Sequence, residues 1–391
     1  MSAQGGLRVL IAAGGTGGHV FPGLALARAL VARDPATTVR FAGTSRGIET
    51  TAVPEAGFEL DLLPILPLSR RLALESVLSP FAAVAGVVAA ARLIRRRRIS
   101  VVAGMGGYVT LPVALGARLA GVPVVLHEQN AVPGIANRGA ARVAHTVALG
   151  VPEAAKAFGK ARTTVVGNPV RPELAHLDRD GLRAEGLAAF GLEAARRTLF
   201  VFGGSQGARR INTALVESAG LWPAPATVQI LHACGRRDEA MVREGWAAAP
   251  VGDLLVRVVP FIDRMDLAYA AADLAVTRAG ALTVAELTAA GLPAVMVPLP
   301  HATAGHQAAN AGVLAAAGGV VHVPDAELTG ARLADEASAL LAEPATLAEM
   351  GKVMRDLALP DAAEDLADVV LAAAGRPTRH RGDPGAEGGR P

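Results

Sequence analysis

The sequence predicts an α/β protein of two Rossmann-like domains, each a parallel sheet covered by helices, facing one another. Three observations carry this. Short β-branched or Leu-rich runs alternate with longer Ala/Leu helical patterns almost throughout, the signature of βαβ units. A strand, glycine loop and helix occur together twice, as RVLIAAGGTGGHVFPGLALARAL from Arg8 and as TLFVFGGSQGARRINTALVES from Thr198. A repeat at half the chain length fits paired domains and not a solenoid. The chain has 391 residues, room for two or three domains at roughly 100–200 residues each.

The elements follow in order. Strands are expected at Arg8–Ala13, Thr38–Ala42, Ser100–Ala103, Val122–Leu126, Thr163–Val166, Thr198–Phe202, Val228–Ala233, Leu254–Val258, Leu274–Thr277 and Ala294–Val297, with helical patterns between them. The seam falls at Gly167–Pro172, where two prolines and a glycine interrupt the pattern. From Gly375 the chain is rich in Gly and Pro and is expected to be disordered.

Composition excludes several classes. Apolar residues make up 51% and charged residues 19%, a globular balance. The single cysteine, Cys234, rules out an internal disulfide framework and a cysteine zinc site. With 38 basic and 35 acidic residues the net charge is +3, too mild to indicate nucleic acid as a partner. The longest apolar stretch, Phe81 to Ala91, is far short of the roughly 20 residues of a membrane span. A soluble chain is expected, or one resting on a membrane surface.

Glycine turns at strand ends supply the candidate chemistry. In Gly14-Gly15-Thr16-Gly17-Gly18-His19, glycines let the backbone approach a ligand, and a helix N-terminus offers unpaired N–H groups to a phosphate. The spacing fits neither a dinucleotide fingerprint nor a Walker A loop, because Val20 stands where the third glycine belongs and no Lys-Ser/Thr pair follows. His19, with Pro22 expected in the first helical turn, suits either a backbone cap or a neutral general base. Gly203-Gly204-Ser205-Gln206-Gly207 and Gly104-Met105-Gly106-Gly107-Tyr108 repeat the logic, and three such turns point to two phosphorylated ligands. Glu286 could take both hydroxyls of a ribose, but Thr283-x-x-Glu286 also matches a helix capping box, which the residues alone favour. Arg70, Arg71, Leu72, Leu74, Leu78, Phe81 and Arg95–Arg98 form a basic and apolar segment that suits an anionic membrane surface or a buried helix with a solvated end. Asp178-Arg179-Asp180, without a strand before it, is discounted as a metal-bound sugar-nucleotide motif.

Taken together, GGTGGHVFPGLALA (14–27), GMGGYV (104–109), HEQNAVPGIANR (127–138), GNPVR (167–171), GGSQGA (203–208), PFIDRM (260–265), RAGALTVAELTAAGLPAVMVPLP (278–300) and HQAANA (306–311) resemble the MurG family of glycosyltransferases. That family adds N-acetylglucosamine to lipid I in bacterial peptidoglycan synthesis. The resemblance implies a GT-B fold: an acceptor-side domain over 1–168, a nucleotide-side domain over 169–351, and a C-terminal helix, about 352–374, returning to the first domain ahead of a tail at 375–391. It implies UDP-N-acetylglucosamine and lipid I as substrates, inversion at the sugar, no metal or other cofactor, and a place on the cytoplasmic face of the membrane beside cell-wall and division machinery. By the same resemblance Arg171 and Ser205 hold the donor phosphates and the Ile262 backbone the uracil. Ala281, Leu282, Thr283, Val284, Ala285 and Glu286 contact nucleotide and diphosphate, with Glu286 now on the ribose. Gln307 reads sugar hydroxyls, Thr16, Gly17, Gly18 and Asn130 reach the sugar across the cleft, and His19 is the candidate base. Gly14, Gly15, Gly104, Gly106, Gly107 and Tyr108 are the suggested cradle for the acceptor pyrophosphate. His127 and Glu128 lie in a matching motif without an assigned role. The stretch 301–306 departs from the family pattern, with Ala304-Gly305 where charged residues are expected. Two rival functions share parts of this pattern: a UDP-N-acetylglucosamine 2-epimerase, and a non-catalytic nucleotide- or lipid-binding scaffold.

Overall fold

A computed structural model describes residues 6–65, 79–203, 208–302 and 305–379. Seven strands form the first sheet: β1 (Arg8–Ala12), β2 (Thr38–Gly43), β3 (Glu59–Leu62), β4 (Val101–Gly104), β5 (Val124–Glu128), β6 (Thr146–Leu149) and β7 (Thr163–Val165). Six form the second: β8 (Arg197–Phe202), β9 (Val228–Ala233), β10 (Leu255–Val259), β11 (Leu274–Thr277), β12 (Ala294–Met296) and β13 (Val320–His322). The orders are β3-β2-β1-β4-β5-β6-β7 and β10-β9-β8-β11-β12-β13, with parallel pairing throughout. Each is a Rossmann-type sheet whose order reverses once, between β1 and β4 and between β8 and β11. Ligands of such sheets bind outside the strand C-termini at that reversal. The glycine turns of the sequence follow β1, β4 and β8, and the Arg278–Gly280 turn follows β11.

Central strands are apolar on both faces because helices cover both. Val9, Leu10, Ile11 and Ala12 are all buried, as are Leu199, Phe200 and Val201. Sequence analysis found ten strands and missed three. β3 is an edge strand whose Glu59 and Asp61 both pair with Arg40 of β2, so it has no apolar run to read. β6 and β13, four and three residues long, were not picked out, although β7 and β12, at three residues each, were.

The second sheet hands its chain back to the first. The helix Ala362–Ala373 buries Leu366, Ala367 and Val370 against Val9, Ile11, Val101 and Val125. Arg33 at the end of the helix Gly17–Arg33 pairs with Asp368 and donates to the Glu364 carbonyl at 2.7 Å. Arg379 adds pairs to Asp365 and Asp368 at 2.7 and 2.8 Å. Apolar burial outweighs these ion pairs: about 1.5–3 kcal/mol for each buried Leu or Val, against about 0–1 kcal/mol for a solvent-accessible pair. The returning chain passes Gly167, where φ is +86° and a Cβ would lie 2.6 Å from Leu359 Cβ. Only glycine fits that turn and that crossing.

Candidate active site

The turn after β1 opens the helix Gly17–Arg33 with Thr16 at the N-cap. Pro22 therefore sits in the second turn and not in the first, where it was expected. The His19 ring packs against the turn after β4. Gly106 and Gly107 have φ of +95° and +77°, and a Cβ on them would come within 2.8 Å of His19 Cδ2 and 3.3 Å of its Nδ1. Side chains at 106 and 107 are thus excluded twice, by backbone conformation and by the imidazole. His19 Nδ1 lies 3.3 Å from Thr16 Oγ1. Burial is the largest influence on this ring and holds its pKa below the ordinary 6.5, while a hydrogen bond to the Gly14 carbonyl opposes the shift. A ring N–H given to Gly14 leaves the other nitrogen free to accept a proton, which a base requires.

The turns are held from beneath. Gly15 N donates to Glu49 Oε2 at 3.0 Å, and Gly106 N to Thr110 Oγ1 at 2.9 Å. Gln129 Nε2 donates to the Met105 carbonyl at 2.6 Å and to His127 Nδ1 at 3.1 Å, while His127 Nε2 donates to the Gly167 carbonyl at 2.9 Å. Burial pushes the His127 pKa down to about 4, so this ring is a neutral crosslink between β5 and the domain crossing. Glu128 is buried, which raises its pKa, yet it accepts from Asn130 N, Asn130 Nδ2, Gly134 N and Asn137 Nδ2 at 2.8–3.3 Å. It shapes the loop that presents Asn130.

Asn130 meets the second lobe through Asn310. Asn310 Nδ2 donates to Asn130 Oδ1 at 3.1 Å and to the Ala279 carbonyl at 3.2 Å, and its Oδ1 accepts from Ala131 N at 3.0 Å. Asn310 and Gln307 share the helix His306–Ala317, whose N-cap is Gly305, at φ +67°. Gln307 Oε1 accepts from Leu299 N at 2.9 Å, and His306 stands close enough to His19 to act on its charge.

On the second lobe the helix Ala281–Ala290 starts at Gly280, and among the described residues no side chain bonds to its first amides. The capping-box reading of Thr283 and Glu286 is therefore wrong: Thr283 is the third helical residue. Glu286 faces inward, accepting from Tyr269 OH at 2.8 Å and lying 3.7 Å from Arg171 Nη2. Burial raises its pKa, against the pull of Arg171. Arg171 Nη1 also donates to the Asp263 carbonyl at 3.3 Å, which brings the 260–265 loop and Ile262 to the same place. The contacts thus fall into two sets: Asn130 and His19 meet the helix His306–Ala317 of the second lobe, and Arg171 joins Glu286 to the 260–265 loop. Ser205 lies outside the described residues. The Asp178-Arg179-Asp180 motif is structural: Asp178 caps the helix Arg179–Phe190, and Arg179 donates to the carbonyls of Tyr269, Ala272 and Gly291.

Sequence reasoning missed Glu49, Gln129 and Asn310 as individuals. Gln129 and Asn310 stand inside quoted motifs, but Glu49 stands in none.

Two facing parallel sheets, each with its reversal point on a shared cleft, define the class: a glycosyltransferase of the GT-B fold. Family models agree, with the glycosyltransferase family 28 N-terminal domain matching residues 9–149 and the family 28 C-terminal domain residues 198–366. A relative from Nocardioides sp. is 46% identical over 93% of this chain and 98% of its own, and one from Acidothermus cellulolyticus is 46% identical over 94% and 98%. Both are named UDP-N-acetylglucosamine–N-acetylmuramyl-(pentapeptide) pyrophosphoryl-undecaprenol N-acetylglucosamine transferase. The crystal structure of Acinetobacter baumannii MurG matches with a TM-score of 0.76 at 32% identity, over 94% of this chain and 99% of that one. The chain belongs to the MurG family. UDP-GlcNAc 2-epimerase from Neisseria meningitidis, solved with UDP-GlcNAc bound, shares the fold alone: TM-score 0.62 at 13% identity, over 94% of this chain and all of that one.

Proposed function

We propose that this protein transfers N-acetylglucosamine from UDP-N-acetylglucosamine to the 4-hydroxyl of the N-acetylmuramyl group of lipid I, forming lipid II, with inversion at the sugar. The observation that carries this reading is the 43–46% identity to transferases of that name over nearly the whole chain, supported by the Asn130–Asn310 bridge between the lobes and the Arg171–Glu286 pair. The lobe of 1–168, completed by the returning helix, takes the acceptor, and the lobe of 169–351 takes the nucleotide.

The acceptor oxygen attacks the anomeric carbon and its proton passes to His19. The bond from that carbon to the UDP oxygen breaks, and its electron pair leaves on the diphosphate. Arg171, Ser205 and the open amides at 281–283 meet the developing charge, Glu286 holds the ribose, and the Ile262 backbone reads the uracil. Gln307, Thr16, Gly17, Gly18 and Asn130 orient the sugar.

Among the described residues no helix is long and apolar enough to cross a membrane. Arg70, Arg71, Leu72, Leu74, Leu78 and the Phe81 side chain lie outside the described residues. Arg95–Arg98 are exposed at the end of the helix Ser79–Arg97, with Arg95 beside exposed Leu119. This supports peripheral binding at the cytoplasmic face, each basic residue adding about 1 kcal/mol near anionic lipid. Cell-wall and division proteins working at that surface are the partners this location suggests. Incubation with labelled UDP-N-acetylglucosamine and lipid I should place label in the lipid fraction. Label confined to free sugar or nucleotide would reject transfer.

A further inference from the structure

Glu49 is fully buried in the short helix Glu49–Glu55, and three glycines from different segments make room for it. A Cβ at Gly14 would lie 2.9 Å from Glu49 Oε1, at Gly43 2.7 Å from its Cγ, and at Gly47 on top of its carboxylate. The carboxylate is divided between two jobs. Oε2 accepts from Gly15 N at 3.0 Å, while Oε1 accepts from Thr44 N and Thr44 Oγ1, both at 3.1 Å. With its proton given to Glu49, Thr44 Oγ1 accepts in turn from Tyr108 OH at 2.7 Å. One side chain thus connects the turn after β1 to the turn after β4, and the His19 ring lies between those turns. The connection also uses up the Gly15 amide, one of the groups suggested as an acceptor-phosphate donor.

We propose that Glu49 is a positioning residue for the transfer reaction: through Gly15, and through Thr44 and Tyr108, it locks the two glycine turns in register around His19. In this arrangement Gly14 makes room for Glu49 and the Gly15 amide is bonded to it, which takes that amide out of the suggested acceptor cradle. The proposal rests on the transfer reading above.

Glu49→Gln keeps the size but turns an NH2 group toward the Gly15 amide, so that two donors meet. Displacing a reacting group by about 1 Å costs on the order of 100-fold in rate, so kcat with lipid I should fall by about 10- to 100-fold. The KM for UDP-N-acetylglucosamine should stay within about twofold, because the donor lobe is untouched. The acid limb of the pH profile should also move to lower pH. Among the described residues three titratable groups act on or respond to the His19 ring: Glu49, which raises its pKa, His306, which lowers it, and His127, while Tyr108 stands on the adjoining turn. Removing the Glu49 charge takes away one raising influence and leaves the Gly14 hydrogen bond as the other. Titrating His19 by NMR in the substrate-free protein reads the same shift without the reaction, so loss of this proposal is distinct from loss of the transfer reading. If Glu49→Gln does not fold, Thr44→Val, which cuts the Tyr108 branch alone, should lower kcat by about fivefold to tenfold on the same argument, while Thr44→Ser restores it. Unchanged kcat with an unmoved His19 titration would overturn the proposal. So would a rise in donor KM matching the loss in kcat, since that pattern is general damage.

Discussion

The two lobes repeat one strand order but finish their reversal points differently. In the first lobe the turns are filled from inside the protein: Glu49 takes the Gly15 amide, Thr110 the Gly106 amide and Gln129 the Met105 carbonyl. In the second, among the described residues, no side chain bonds to the first amides of the helix Ala281–Ala290, and Arg171 stands 3.7 Å from Glu286, longer than a hydrogen bond. A turn whose polar groups are satisfied internally keeps its shape without a ligand. A turn with open amides gains those bonds only when an anion arrives. The first lobe therefore combines preset turns with the uncapped start of the helix Gly17–Arg33, whereas the described part of the second shows an uncapped helix start without such bracing of the turn before it. The same comparison separates two buried histidines. Burial drives both His127 and His232 down to about 4, but His127 braces the cleft, whereas His232 accepts from Trp246 and donates to Asn212 inside the second core, at 3.1 and 3.0 Å. A depressed pKa alone marks burial, not catalysis.

The largest test of this contrast is His19→Ala. Turnover should fall by about 100- to 10,000-fold, the worth of a general base, with UDP affinity unchanged by calorimetry; a matching loss of UDP binding would erase the division between lobes. In the unaltered enzyme the sign of the pH effect follows from the lowered His19 pKa. The base stays neutral below pH 6.5, so the acid limb of kcat/KM should lie under that value, with activity lost as pH falls through it. Glu286→Ala comes next. It strands the buried Tyr269 hydroxyl and should weaken UDP binding by about 10- to 100-fold, as expected for charged hydrogen bonds of about 1.5–3 kcal/mol. Unchanged UDP affinity would make Glu286 part of the core only. The smallest effect belongs to Asn310→Ala, which removes two bonds joining the lobes and a third, to the Ala279 carbonyl, within the second lobe. At about 1 kcal/mol each and partly replaced by water, their loss should cost about fivefold to tenfold in kcat/KM, with the melting temperature nearly constant.

Most of the architecture was legible because parallel strands buried on both faces read as apolar runs, and because glycine turns recur where strands end. The polar edge strand β3 gave no such signal, and β6 and β13 went unread. Of the site, the residues on glycine turns and in quoted motifs could be picked out, since backbone approach demands glycine. Glu49 could not. Its role depends on Gly14, Gly43 and Gly47 meeting in space, and a lone acid in Gly-Ile-Glu-Thr reads as a surface residue. Thr283 and Glu286 misled for the opposite reason: their spacing fits a local cap, and only Tyr269 and Arg171, distant in sequence, reveal the inward orientation.

The double crossing at Gly167 and Leu359 has a practical consequence. No single cut divides this polypeptide into two self-sufficient halves. A fragment ending near residue 168 would lack Leu366, Ala367 and Val370 from its interior, and the complementary piece would carry that greasy helix with nothing to bury it. Split versions of the enzyme therefore need the last segment spliced onto the first, and a reporter fused after Arg379 would follow the movements of the amino-terminal half, not those of the second lobe that precedes it in the chain.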